Sequence, residues 1–364
     1  MSEIISMDLL FVNGINTSFP CSGVQALKGW ENSFRRKGIS FETLSTAPKF
    51  GMQSQNKLYW ILLGIFYFPG TLFRIFKFPI SEFLYKLSPF LVLQFILIIL
   101  RKKIRHVIFS HHAIFFLMFF CRKSKRVLLI HDLISIRSRS FGASRRLQRF
   151  YLRIELIFYK FSPVILIQSY QECRILRRFL SSEIHLIRCH DLEFDSFDLK
   201  LTSGLALISD WRRHENFHGA SQFFSTPIIS KYTEKSLFVR FYGFGSNKIF
   251  EHINADINSK NLLFSDGGTF KDVAEIEEGY FFVPIYHGAG IKRKTLEALS
   301  FGRFVVGTKA AFIGLPPWII SDVTKRVNSV NDLVALPFIP DAKVFEKKLS
   351  ELAKYFHDIS DIIY

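Results

Sequence analysis

Residues Tyr280–Pro316 read YFFVPIYHGAGIKRKTLEALSFGRFVVGTKAAFIGLP. An apolar run ends at Pro284, the loop His287-Gly288-Ala289-Gly290 follows, and a helical segment then carries Lys292, Lys294 and Glu297 in its first two turns. Phe304 to Val306 is apolar again, so the stretch reads as strand, glycine loop, helix, strand, the unit of an α/β sheet. A helix that opens behind glycines presents backbone N–H groups and the positive end of its dipole, which favour anions. Two lysines there suit a diphosphate. The plainer alternative is an ordinary helix start with solvated lysines.

The same alternation extends in both directions. Met7 to Val12 is a strand; Asn13-Gly14 and Pro20-Cys21-Ser22-Gly23 precede a helix over Val24 to Lys37; Gly38 stops it and Ile39 to Leu44 is a second strand. Beyond Arg105, strands are predicted at His106 to Phe109, Val127 to Ile130, Val164 to Gln168 and Ile184 to Ile187. Strand ends carry Ser110-His111-His112 and His131-Asp132. An amphipathic basic helix is predicted over Ser144 to Phe161, with Leu147, Phe150, Tyr151, Ile154 and Phe158 at helical spacing and Arg145, Arg146, Arg149 and Arg153 supplying charge. The acidic stretch His190–Asp198 breaks the pattern and marks a boundary near 195. Strands resume at Gly204 to Ile208, Leu237 to Tyr242, Leu262 to Phe264 and Gly279 to Val283. The expected fold is α/β, with two Rossmann-like domains, 1–195 and 196–364, facing across a cleft that takes the ligand. The last helix, about Ala342 to Phe356, is expected to return to the first domain.

Composition agrees with two domains. The chain has 364 residues, 48 Lys+Arg against 31 Asp+Glu for a net charge of +17, and 42 Phe. That excludes an acidic disordered chain or a collagen-like one. From Arg101 to Arg188, 19 basic residues face four acids, so one region holds most of the field. A patch of this sign attracts anionic lipid, nucleic acid or phosphorylated substrates, or simply keeps the surface solvated. Residues 57–100 are apolar on nearly every helical face, yet no uncharged run reaches the roughly 18 to 20 residues that span a bilayer. A buried helix or a segment lying in the membrane interface is expected there. Cys21, Cys121, Cys173 and Cys189 form no C-x-x-C pair, and the N-terminus lacks a basic n-region, so a cytoplasmic location is expected.

Gly290, Lys292, Lys294, Glu297, Ala298, Leu299, Ser300, Gly302, Val305, Val306 and Thr308, followed by Gly314-Leu315, match a pattern that resembles the donor-site signature of GT-B-fold glycosyltransferases of family 4 (group 1). Asp210-Trp211 through Asn216, Gly219 and Phe223-Phe224 are similar to the start of that family's donor domain. Gly267-Gly268 resembles its nucleobase-side loop, and Ser22-Gly23 stands where its first-domain glycine loop approaches the donor. One position departs. Many members carry two glutamates eight positions apart, and here the first position is Ala289 while the second is Glu297.

The resemblance implies an enzyme that moves a sugar from a nucleotide-sugar donor to a hydroxyl of a lipid-linked or membrane-proximal saccharide acceptor, in bacterial surface polysaccharide synthesis and with retention. It implies donor contacts by Ser22, Gly23, Asn216, Gly267, Gly288, Gly290, Ile291, Lys292, Lys294, Glu297 and Thr308, with His131, Asp132 and Glu297 as catalytic residues. His131 stands where the family places a cleft-facing histidine; Asp132 is read either as part of that site or as a structural cap of the next turn. No D-x-D triplet occurs, and neither a metal nor another cofactor is expected. The expected partners are the donor, the saccharide acceptor and an anionic membrane surface, with the protein peripheral on the inner face of the cell membrane. A nucleotide-sugar epimerase of the same fold is one alternative. A basic nucleic-acid-binding protein is another, without any zinc-finger or RNP-like motif to support it, and no nucleic-acid partner is expected.

Overall fold

The structure, a computed structural model, describes residues 5–13, 22–45, 89–140, 142–188, 204–224, 238–257, 262–264, 276, 278–328, 332 and 341–363. The chain divides into two units: Met1–Asp191 with His357–Tyr364, and Leu192–Phe356.

In the first unit, β1 (Ile5–Asn13), β2 (Phe41–Ser45), β3 (Lys102–Ser110), β4 (Arg126–Ile130), β5 (Val164–Ile167) and β6 (Glu183–Leu186) form one sheet in the order β2-β1-β3-β4-β5-β6. All pairs are parallel. A parallel sheet covered on both faces demands apolar strands, and Leu9 to Val12 are fully buried. β3 begins at Lys102, ahead of the expected His106, because buried Ile104 alternates with exposed Lys103 and Arg105 and so continues the strand pattern outward. The order reverses between β1 and β3, where Asn13 pairs with Ser110 at the carboxyl ends. Helices α1 (Ser22–Arg36), α2 (Pro89–Arg101), α3 (Ile134–Ser140), α4 (Arg145–Lys160) and α5 (Tyr170–Leu176) connect the strands. α4 starts on Ser144, whose hydroxyl accepts from Leu147 N at 3.3 Å.

Segment 57–100 is represented by α2, since 57–88 lie outside the described residues. Leu91 and Phe95 of α2 are buried, whereas Leu93 and Leu100 are 55% and 76% exposed. Among the described residues no helix is long and apolar enough to cross a membrane. The core of this unit joins Leu9, Phe11, Trp30, Phe34, Ile108 and Leu129 to Ile359 and Ile363.

In the second unit, β7 (Gly204–Ile208), β8 (Phe238–Tyr242), β9 (Leu262–Phe264), β10 (Tyr280–Val283), β11 (Phe304–Gly307) and β12 (Thr324–Arg326) lie in the order β12-β11-β10-β7-β8-β9, again all parallel. β7, β10 and β11 are buried along their whole length. Helices α6 (His214–Phe224), α7 (Ser246–Ile257), α8 (Arg293–Ser300), α9 (Pro317–Val323) and α10 (Ala342–Tyr355) belong here, and α11 (Ile359–Ile363) belongs to the first unit. The return to the first unit, expected of Ala342 to Phe356, is thus made by the residues from His357 onward, while α10 stays in the second. β12 had no signal in the sequence: it is three residues long, and Lys325 and Arg326 are exposed.

Candidate functional site

The segment that decides the fold sits at the carboxyl ends of β10 and β7, where the strand order of the second sheet reverses, the place in open α/β sheets where ligands bind. After Val283 the chain leaves the sheet through Pro284 and a loop in which Gly288 (φ 134°) and Gly290 (φ 67°) take left-handed backbone conformations. A Cβ on Gly314 would lie 2.6 Å from Ile291 Cα, so close backbone approach holds the Gly290-Ile291 pair in place. Close approach recurs beneath it. A Cβ on Gly219 of α6 would lie 2.1 Å from the Pro284 carbonyl oxygen, which seats α6 directly on the end of β10.

Lys292 stands at the N-cap of α8, where its side chain offers no oxygen to the helix amides. Its ammonium folds back and donates to the Ala289 carbonyl at 2.7 Å, over Gly288. Lys294 reaches the other way, donating to Ser209 Oγ at 2.7 Å and to Asn216 Oδ1 at 3.2 Å. The Asn216 amide donates in turn to the Asp210 carbonyl at 3.0 Å. One ammonium therefore ties α8 to the end of β7 and the first turn of α6. Desolvation, and then the positive charges of Arg213 and Lys292, push the Lys294 ammonium down to about 7, with Glu215 opposing them. Arg213 pairs with Glu215, and the cations gathered at a partly buried glycine loop beside a helix start can take up a polyanion.

Among the other expected donor residues, Glu297 lies partly buried on α8, one turn beyond Lys294. Thr308 is buried, and its hydroxyl donates to the Ile285 carbonyl, fastening the end of β11 to the loop that follows β10. Ser22 and Gly23 open α1, but their side chains, like the whole of Gly267, lie outside the described residues.

In the first unit His131 follows β4. Its Nε2 is 3.0 Å from Ser110 Oγ at the end of β3, and its ring stacks on buried Trp30 of α1 at 5.9 Å between centroids. Trp30 is itself set by a hydrogen bond from its indole to the Arg188 carbonyl. Asp132 pairs with Arg137 at 3.5 Å. The reading of Asp132 as the cap of the following turn is overturned, because that place is taken from another helix. Glu155 of α4, fully buried, accepts from Ile134 N through Oε1 and from Ser135 N at 3.2 Å through Oε2. Burial pushes its carboxyl up to about 7; the two amides pull it the other way, and Asp132 adds to the rise. Sequence reasoning did not single out Ser209, Arg213, Trp30 or Glu155. Ser209, a polar residue closing an apolar strand, carries the same signal that picked out His131.

No protein-family model and no curated sequence matches the chain. Solved structures match along almost its whole length. A trehalose-phosphate synthase from Burkholderia vietnamiensis superposes with a TM-score of 0.60 at 9% identity, covering 96% of both chains. A glycosyltransferase from Rickettsia africae gives 0.57 at 10% identity, covering 99% of this chain and 96% of that one. Anabaena HepE, solved with UDP-glucose, gives 0.56 at 12% identity over 98% and 97%. At such identities the likeness concerns the fold. The chain has two Rossmann-like α/β sheets, the GT-B type of fold that the sequence led one to expect.

Proposed function

We propose that the protein is a glycosyltransferase that uses a nucleotide-sugar donor. The observation that carries this reading is the cluster at the switch point of the second sheet: Lys294 held by Ser209 and Asn216, with Lys292 beside it over a glycine loop. In this reading the diphosphate lies over Gly288 and Gly290, and the lysines with the start of α8 neutralise the leaving nucleoside diphosphate without a metal ion. Glu297 accepts hydrogen bonds from the donor's hydroxyls. His131, oriented by Ser110 and Trp30, faces the transferred sugar or the acceptor hydroxyl. Retention of configuration belongs to the same reading, as do surface polysaccharide synthesis and a saccharide acceptor carried on lipid.

The first unit supports an acceptor at an anionic membrane. The exposed side of α4 carries Arg146, Arg149, Phe150, Arg153, Ile157 and Lys160, and continues into Phe161; Glu155, the acid of α4, is turned inward. Phe161 meets exposed Phe119 at 5.0 Å between centroids, and Phe116 and Phe120 adjoin it. Arg126 fastens this knuckle by donating to the carbonyls of Cys121 and Phe161. A cationic and apolar face, with no acid among the exposed residues of α4, suits a surface that lies in a lipid interface, and this reading assigns the protein to the inner face of the cell membrane.

A screen of nucleotide sugars by thermal stabilisation, followed by product analysis, tests the reading. Transfer to a saccharide acceptor is expected. Isomerised donor without transfer, or stabilisation by oligonucleotide instead of nucleotide sugar, would replace it.

A further inference from the structure

α3 begins in a place where the local sequence supplies no cap. The residue before Ile134 is Leu133, fully buried and without an oxygen to receive the first amides of the helix. Those amides need acceptors from elsewhere. Glu155, 21 residues on, supplies them from the neighbouring helix, with the Ile134 N–H on one carboxylate oxygen and the Ser135 N–H on the other. The Tyr159 hydroxyl also donates to Oε1, at 3.4 Å. A buried carboxylate is costly unless its oxygens are satisfied, and here they are satisfied by the backbone that immediately follows His131-Asp132.

Apolar contacts of Ile134 and Tyr151 with Leu147, Ile154 and Phe158 hold α3 against α4 without direction. The two amide bonds add direction and fix the start of α3. His131 thus stands between two anchors. Ser110 and Trp30 hold its ring from the strand side, and Glu155 holds the chain three residues further on.

We infer that Glu155 is the positioning residue of the His131–Asp132 loop: it sets where the imidazole stands for transfer and leaves donor binding to the second unit. The inference rests on the reading of His131 given above. Arranged atoms displaced by about 1 Å can lose two orders of magnitude in rate, so a residue that touches no substrate can still govern turnover.

The test uses the full chain with Glu155→Ala, Glu155→Gln, His131→Ala and the double variant Glu155→Ala/His131→Ala. Glu155→Ala is expected to lower kcat about tenfold while the donor KM stays within about twofold. Glu155→Gln keeps one acceptor oxygen and recovers part of the loss. In the His131→Ala background Glu155→Ala is expected to cost nothing further, since it acts through that residue. Hydrogen exchange gives a readout free of activity: the Ile134 and Ser135 amides should exchange about tenfold faster in Glu155→Ala, with the strands of the first sheet unchanged. If the wild-type protein turns over no nucleotide sugar, the transferase reading fails and the exchange measurement alone decides the positioning role. Wild-type turnover in Glu155→Ala, an equal loss in the His131→Ala background, unchanged exchange, or global unfolding of both Glu155 variants would each overturn the inference.

Discussion

Each of the two sheets has six parallel strands and an internal reversal of strand order, yet their carboxyl edges are furnished differently. At the edge of the second sheet, Lys292, Lys294 and Arg213 crowd together on glycine-lined backbone. At the edge of the first, His131 stands between a serine, a tryptophan and a helix capped by a buried carboxylate. Topology supplies the place in both units, and the side chains decide whether charge or hydrogen-bonding geometry is presented there. An edge dense in cations is built to hold a polyanion, and an edge with an imidazole oriented by Ser110 and Trp30 is built to address one atom.

If that division is right, removing charge from the second edge should abolish donor binding while leaving the fold intact. Lys292→Ala/Lys294→Ala is expected to weaken nucleoside diphosphate binding by about a thousandfold, two charge-assisted contacts at about 1.5 to 3 kcal/mol each. Isothermal titration checks it, and an affinity within tenfold of wild type would remove the contrast between the edges. Backbone seating comes next. Gly219→Ala pushes a methyl into the Pro284 carbonyl and should cost about 1 to 3 kcal/mol of stability in a denaturant titration. An unchanged midpoint would show that α6 can lift off β10 freely.

A smaller effect separates buried from exposed charge by pH. With the Lys294 ammonium at about 7, an arriving diphosphate draws a proton onto it, so binding takes up protons above that pH. Affinity should fall as pH rises, by at most about tenfold per unit, over a range where the terminal phosphate is already ionised. The slope should vanish in Lys294→Ala, and a flat profile in wild type would return the lysine to ordinary solvation. The smallest effect belongs to the exposed cations of the first unit. Arg149→Ala and Arg153→Ala should each weaken sedimentation with anionic vesicles about fivefold, near 1 kcal/mol per residue, and salt should erase the difference. Binding that ignores both substitutions would assign any membrane contact to the aromatic knuckle alone.

Much of this was legible in local sequence. The run of Gly290, Lys292 and Lys294 behind Pro284 located the second edge, because glycine conformations and helix starts are specified by neighbours along the chain. His131-Asp132 was legible as the polar end of an apolar strand. What escaped were partners brought in by the fold: Ser209 lies 85 residues from Lys294, and Trp30 belongs to a helix two crossovers away from His131. Glu155 left a trace that went unread. It occupies the apolar stripe of α4, four residues from both Tyr151 and Tyr159, and an acid at that spacing must find donors inside the protein. The bounds of β3 and the existence of β12 were missed for a related reason, since charged residues at strand ends weaken the pattern that marks a strand.

The residues from His357 onward have a consequence for how the molecule is made. Ile359 and Ile363 enter the core around Trp30 and Phe34, His357 bridges to Ile187, and Asp358 accepts from Ser33. The first unit is therefore closed by residues made after the second: its sheet can assemble while the second unit is still being translated, but one wall stays open until α11 emerges from the ribosome. A fragment ending near residue 191 would carry that opening permanently, and deleting residues 357–363 would injure a unit whose sheet lies more than 160 residues earlier in the chain.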